Sequence, residues 1–212
     1  MDIDIQRVLS QNITLVYDSL DLRTIDTSEL KGLMGVEAKP MVMDTPEMIV
    51  AVYPPHPLII QIGDRRIRVT FPRESEDIGA VPLWEIAIKC HQLVPQSQLV
   101  AYGFNYDVEV ELAGGNAHKV MLDLFVSNPK MIENALKGHL VSSIPRIKFR
   151  RGQTIYDLVL EPVDEQHLKV HLNAHFQFEG ITLPSEDRLE ESFRHEFGYL
   201  TSMLPRLFEG GE

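Results

Sequence analysis

Three histidines stand four residues apart, at His167, His171 and His175. On a helix this spacing would bring them to one face, within reach of a single metal ion. Residues 166–178 alternate instead. Leu168, Val170, Leu172, Ala174, Phe176 and Phe178 point one way, and His167, Lys169, His171, Asn173, His175 and Gln177 point the other. That is the period of a strand. Residues four apart on a strand lie about 13 Å from one another, too far to share an ion held at about 2 Å. The pattern predicts no metal site, and no other motif calls for a cofactor.

Asp107, Glu109 and Glu111 share one face of 98–112. Carboxylates about 7 Å apart occur in some glycosidases. Cross-strand pairing with basic residues explains such a row without chemistry, and we adopt that reading. Cys90 has His91 beside it, but consecutive helical residues diverge by about 100° and cannot form a nucleophile–base dyad. In an apolar helix the thiol is expected to be buried and inert. There is no Gly-x-Ser-x-Gly elbow and no P-loop. Ala113-Gly114-Gly115-Asn116 precedes a helix and could offer amides to an anion, though a flexible turn is the simpler account. No catalytic residue is assigned.

The basic residues concentrate on sheet. Arg66 and Arg68 share a face of 65–71; Arg146, Lys148 and Arg150 share a face of 145–150; Lys169 stands among the histidines. Two readings compete. In the first, which we favour, Asp107, Glu109 and Glu111 on a neighbouring strand neutralise this face. In the second, Arg66, Arg68, Arg146, Lys148, Arg150, His167, Lys169 and His171 form a surface for an anionic ligand or acidic partner. Aromatic residues alternate to the opposite face, which disfavours nucleic acid, since its bases want exposed rings.

These side chains need elements to hold them. Strands are expected at 13–20, 47–53, 58–62, 65–71, 98–112, 141–150, 154–161 and 166–178. Helices are expected near 26–35, at 82–94, 116–126 and 128–138, and from 185 to 204, where Leu189, Phe193, Phe197, Leu200 and Leu204 make one apolar stripe. Residues 36–46 and 73–80 read as connections. Strand-strand-strand-helix occurs twice, near 47–94 and 141–204, which suggests a duplication with halves 1–112 and 113–212. The expected class is α+β: antiparallel sheet, one sheet or two, with helices on one face of a single domain.

The 212 residues suffice for a sizeable core, and 44% hydrophobic against 24% charged residues is ordinary globular composition. A net charge of −11 disfavours general nucleic-acid binding. One cysteine allows no internal disulfide, the start Met1-Asp2-Ile3-Asp4-Ile5 is unlike a signal peptide, and no apolar run is long enough to span a membrane. The expected location is cytoplasmic.

Leu58-Ile59-Ile60-Gln61-Ile62-Gly63-Asp64-Arg65-Arg66, the helix with Trp84, and Tyr102-Gly103-Phe104-Asn105-Tyr106 are similar to a sporadically distributed bacterial family of unknown function. That family follows a tryptophan-bearing helix with a strand reading Gly-Leu-Arg-Tyr-Ile-Asn. Here Asn105 stands in place of its arginine and Val108 in place of its asparagine. The resemblance implies no activity. More loosely, the acidic composition and sheet-plus-helix make-up resemble SecB-like chaperones. The expected function is a non-enzymatic binding or interaction protein, homo-oligomeric, with a protein or anionic small molecule as partner. The alternatives are an enzyme or sensor binding an anion on the histidine-containing basic face, and a weak nucleic-acid binder.

Overall fold

The computed structural model describes residues 3–33, 39–55, 57–72, 74 and 78–209. Its strands form one sheet, so the choice between one sheet and two is resolved. The strands are β1 (Ile3–Tyr17), β2 (Met41–Asp44), β3 (Met48–Tyr53), β4 (Leu58–Gly63), β5 (Arg66–Phe71), β6 (Leu99–Leu112), β7 (Arg146–Arg151), β8 (Thr154–Pro162) and β9 (His167–Phe176). Their order is β2-β3-β4-β5-β1-β6-β9-β8-β7, and every pairing is antiparallel. The helices are α1 (Leu83–Gln92), α2 (Ala117–Phe125), α3 (Pro129–Leu136) and α4 (Glu186–Glu209).

The duplicated pattern is present and extends further than expected, and the second unit begins with β6 at Leu99, not at residue 113. A long strand (β1 or β6) is followed by an insertion, then by a three-strand meander, then by a helix (α1 or α4). In each half the third meander strand returns beside the long strand, as β5 beside β1 and β9 beside β6. The two long strands pair antiparallel and join the halves. Beyond the first half's meander, β2 adds an outer strand.

The core face follows from alternation. Ile13, Leu15, Ile60, Ile67, Val69, Phe104, Tyr106, Leu158 and Leu172 are fully or almost fully buried on it. α1 lies over β1 and β5, α4 over β1 and β6, and α2 against β8. Buried hydroxyls find partners there. Tyr106 donates to the Phe193 carbonyl at 2.6 Å, Tyr53 to the Leu30 carbonyl at 2.5 Å, and Tyr156 to the buried Glu196 carboxylate at 2.8 Å.

Several boundaries differ from expectation. β1 begins at Ile3, not residue 13, because register shifts at Ile5/Arg7 and Val8/Ser10 break the period-two pattern. Part of the 36–46 connection is strand: β2 lies between Pro40 and Pro46 and is short enough to carry little signal. β7 begins only at Arg146, after Pro145. Near 26–35 there are single 3₁₀ turns at Leu22–Thr24 and Glu29–Gly32 in place of an α-helix, and the expected end at Gly35 lies outside the described residues. α4 continues through Pro205 to Glu209. β9 stops at Phe176, which leaves Phe178 exposed, not inward.

Candidate functional site

The solvent face of the sheet carries the polar side chains, and its register decides which of them meet. β6 borders β1 and β9, not β5 or β7. Of the expected basic residues the acidic row therefore meets those of β9, and otherwise it pairs with β1. Arg7 makes a two-pronged pair with Glu109, Nε to Oε1 and Nη2 to Oε2, each 3.0 Å. Gln6 donates to Glu111 at 2.7 Å. Lys169 lies opposite Glu109 in the register. Asp107 accepts from Ser10 at 2.6 Å and meets His171 Nδ1 at 2.8 Å. Burial opposes ionisation of Asp107, but the bonds from His171 and Ser10 outweigh it and hold the carboxyl below its ordinary range. These carboxylates are thus each engaged by neighbouring side chains.

His167 turns to Asp164, 2.9 Å away, and this bond raises the imidazole above its ordinary value. No group of three or more metal-ligating side chains gathers among the described residues. Cys90 is fully buried, and burial pushes its thiol up to about 12. His91 is engaged with another group, 3.0 Å from the Tyr17 hydroxyl and stacked on that ring.

The eight expected anion-binding residues do not form one cluster. Arg66 and Arg68 lie on β5, and Arg146, Lys148 and Arg150 on β7, five strands away. At about 4.8 Å per strand the two groups are about 24 Å apart. His167, Lys169 and His171 stand between them, beside the acids. On β7, Arg146 pairs with Asp157 at 2.5 and 2.8 Å and Lys148 lies 3.7 Å from the same carboxylate. Arg146 foremost holds Asp157 below its ordinary range.

Arg150 makes no ion pair among the described residues and lines a separate cavity with Gln177 and Glu179. Arg66 and Arg68 lie elsewhere on the face. Arg66 has a long contact of 3.9 Å with exposed Asp64, and Arg68 makes no ion pair among the described residues. Both arginines line two adjoining cavities. One, about 190 Å³, reaches across β1 and β6 to Asn173 and His175 on β9. Its floor is a ladder of amides: Asn173 Nδ2 donates to Asn105 Oδ1 at 2.8 Å, and Asn105 Nδ2 to Asn12 Oδ1 at 2.7 Å. Thr14 donates to the same Asn12 oxygen at 3.1 Å. Gly103 also lines this cavity, and a Cβ there would lie 3.0 Å from the Ala174 carbonyl oxygen. Close backbone approach thus favours glycine at the point where the depression forms. The second cavity, about 200 Å³, lies on the other side of the arginines, beside Met48, Gln61 and Gly63.

Three of these residues sit on faces legible in the sequence: Asn105 on the solvent side of one strand, Asn173 and His175 on that of another. Nothing in the sequence marks them as neighbours of Arg66 and Arg68. The solvent face is also less polar than alternation implies. Met41, Met43 and Met48 are exposed on it, beside Val50 and Val52.

No protein-family model matches the chain, and no curated protein shows significant similarity to it. No described helix is long and apolar enough to cross a membrane.

His91 gives one pH-dependent expectation. Burial lowers its pKa below the ordinary 6.5, so the folded state resists the proton that the unfolded chain accepts. In that window the unfolded state binds more protons, and stability falls as pH drops through 6.5, levelling below the folded-state pKa. His91→Gln should remove this component. Urea midpoints for both proteins above and below pH 6.5 test it, and parallel pH dependence in the two would contradict the assignment.

Proposed function

We propose that this chain is a cytoplasmic, non-catalytic binding protein whose solvent sheet face receives an anionic group between Arg66, Arg68 and His175. The observation that carries the reading is Arg68: it makes no ion pair among the described residues and lines both cavities. In a chain of net charge −11, a cation without a counter-charge beside a row of amide donors is the arrangement an anion fills. Guanidinium favours carboxylate and phosphoryl groups because its planar donors match two of their oxygens. Cavities near 200 Å³ suit a small ligand or one charged group of a larger one.

Calorimetric titration with inorganic phosphate, then phosphate monoesters and dicarboxylates, tests this at low ionic strength. At least one should bind. Arg68→Ala should weaken it about tenfold or more, the scale of one charge-assisted bond. Arg146→Ala, at the far edge of the same face, should leave it unchanged. Failure of every anion to bind, or equal loss in both variants, removes the reading.

A further inference from the structure

We propose that the outer edge of β7 docks an extended segment of a partner protein in which acidic and apolar residues alternate, taking it up as a tenth strand. β7 ends the strand order and is paired on one side, by β8. Its outer backbone groups are therefore a template for another strand.

The side chains on that edge specify what fits. Arg146, Lys148 and Arg150 share the solvent face, and Arg151 follows. Among the described residues Asp157 is the carboxylate in ion-pair contact with this row, serving both Arg146 and Lys148. Arg150 lies opposite Ile155. The edge is a cationic strip on an acidic protein. On the core face of the same strand, Ile147 and Phe149 are only partly buried. The chain leading into β7 exposes Val141 and Ile144, at 81% and 58%. α3, just before it, buries no residue and exposes Met131 and Leu136. Apolar side chains are thus uncovered on β7 and along the approach to it.

A second copy of the chain is a poor occupant. Antiparallel self-pairing of β7 would set Arg and Lys against Arg and Lys, which destabilises a ladder. Pairing with the other edge strand, β2, would offer a single acid, Asp44. A segment with acids on alternate positions satisfies the cationic face, and its intervening apolar side chains fall on the face where Ile147 and Phe149 are incompletely covered.

The probe is a synthetic peptide of alternating Glu and Val, as long as β7, with a Lys-Val peptide of the same length as control. The acidic peptide should bind and slow amide exchange at 146–151. The basic peptide should not bind. Lys148→Glu combined with Arg150→Glu, both exposed and outside the core, should weaken the acidic peptide about tenfold or more. Arg68→Ala should not, which keeps this edge distinct from the anion site. N-methylation along one side of the peptide should abolish binding, and along the other side should not, because one row of amides pairs with β7. Equal binding of both peptides, protection at β2 in place of β7, indifference to the charge reversal, or a dimer in light scattering that the acidic peptide leaves intact would each overturn the proposal.

Discussion

Phe193→Ala should destabilise the fold by about 3–5 kcal/mol, the cost of deleting a buried ring that its surroundings cannot refill. Phe193 lies on α4 and is fully buried. Its ring contacts Trp84 of α1 and, on β6, both Phe104 and Tyr106, at centroid distances of 6.1, 5.4 and 5.0 Å. The Phe104 contact is edge-to-face, an arrangement aromatic quadrupoles favour. The residue's carbonyl also takes the Tyr106 hydroxyl. One side chain thus holds the helix of the second half against the helix of the first and the strand that joins them. Urea denaturation should show a lower midpoint with little change in slope. Phe178→Ala, at 41% exposure, is the control and should stay within about 0.5 kcal/mol. A loss below about 1 kcal/mol for Phe193→Ala would mean that the aromatic cluster can close over the gap.

Gln11→Met should move stability the other way, by about 1–3 kcal/mol, the usual penalty of a buried polar group left without a partner. Gln11 is fully buried on the core face of β1, in register with Phe71 on one side and Tyr106 on the other. Neither its Nε2 nor its Oε1 has a hydrogen-bond partner among the described residues. Methionine keeps the unbranched length and removes the stranded dipole. For a chain of this size the thermal midpoint should rise by roughly 2–4 °C per kcal/mol gained. A fall would show that the amide is engaged in solution.

The same residue masks the strand period at the start of the chain. Long uninterrupted alternation declares itself: β9 and the part of β6 beyond its register shift near Val100 alternate, and their faces, their α+β setting and the helices over them are legible. β1 hides because a polar side chain occupies a core position and register shifts interrupt the period. β2 hides because four residues between prolines carry too little pattern. For the candidate site, alternation gives the face of each side chain but not the neighbour of each strand. Arg66, Arg68, Arg146, Lys148 and Arg150 do share a face, yet sheet order, set by pairings distant in sequence, divides them between β5 and β7. The same order carries Asn105, Asn173 and His175 toward the first pair.

The seam between β1 and β6 bears on symmetry. If two copies of one half had built this sheet, an isologous junction would repeat every surface feature, and each assembly would carry two of any site. Here both halves lie in one chain, and their solvent faces differ. The first half sets Arg66 and Arg68 opposite uncharged Val16 and Thr14, and the second places His171 and Lys169 beside Asp107 and Glu109. Covalent linkage lets one half keep Arg68 without a counter-charge where the other sets Lys169 and His171 against carboxylates. An anion held at Arg68 should accordingly be counted once per chain.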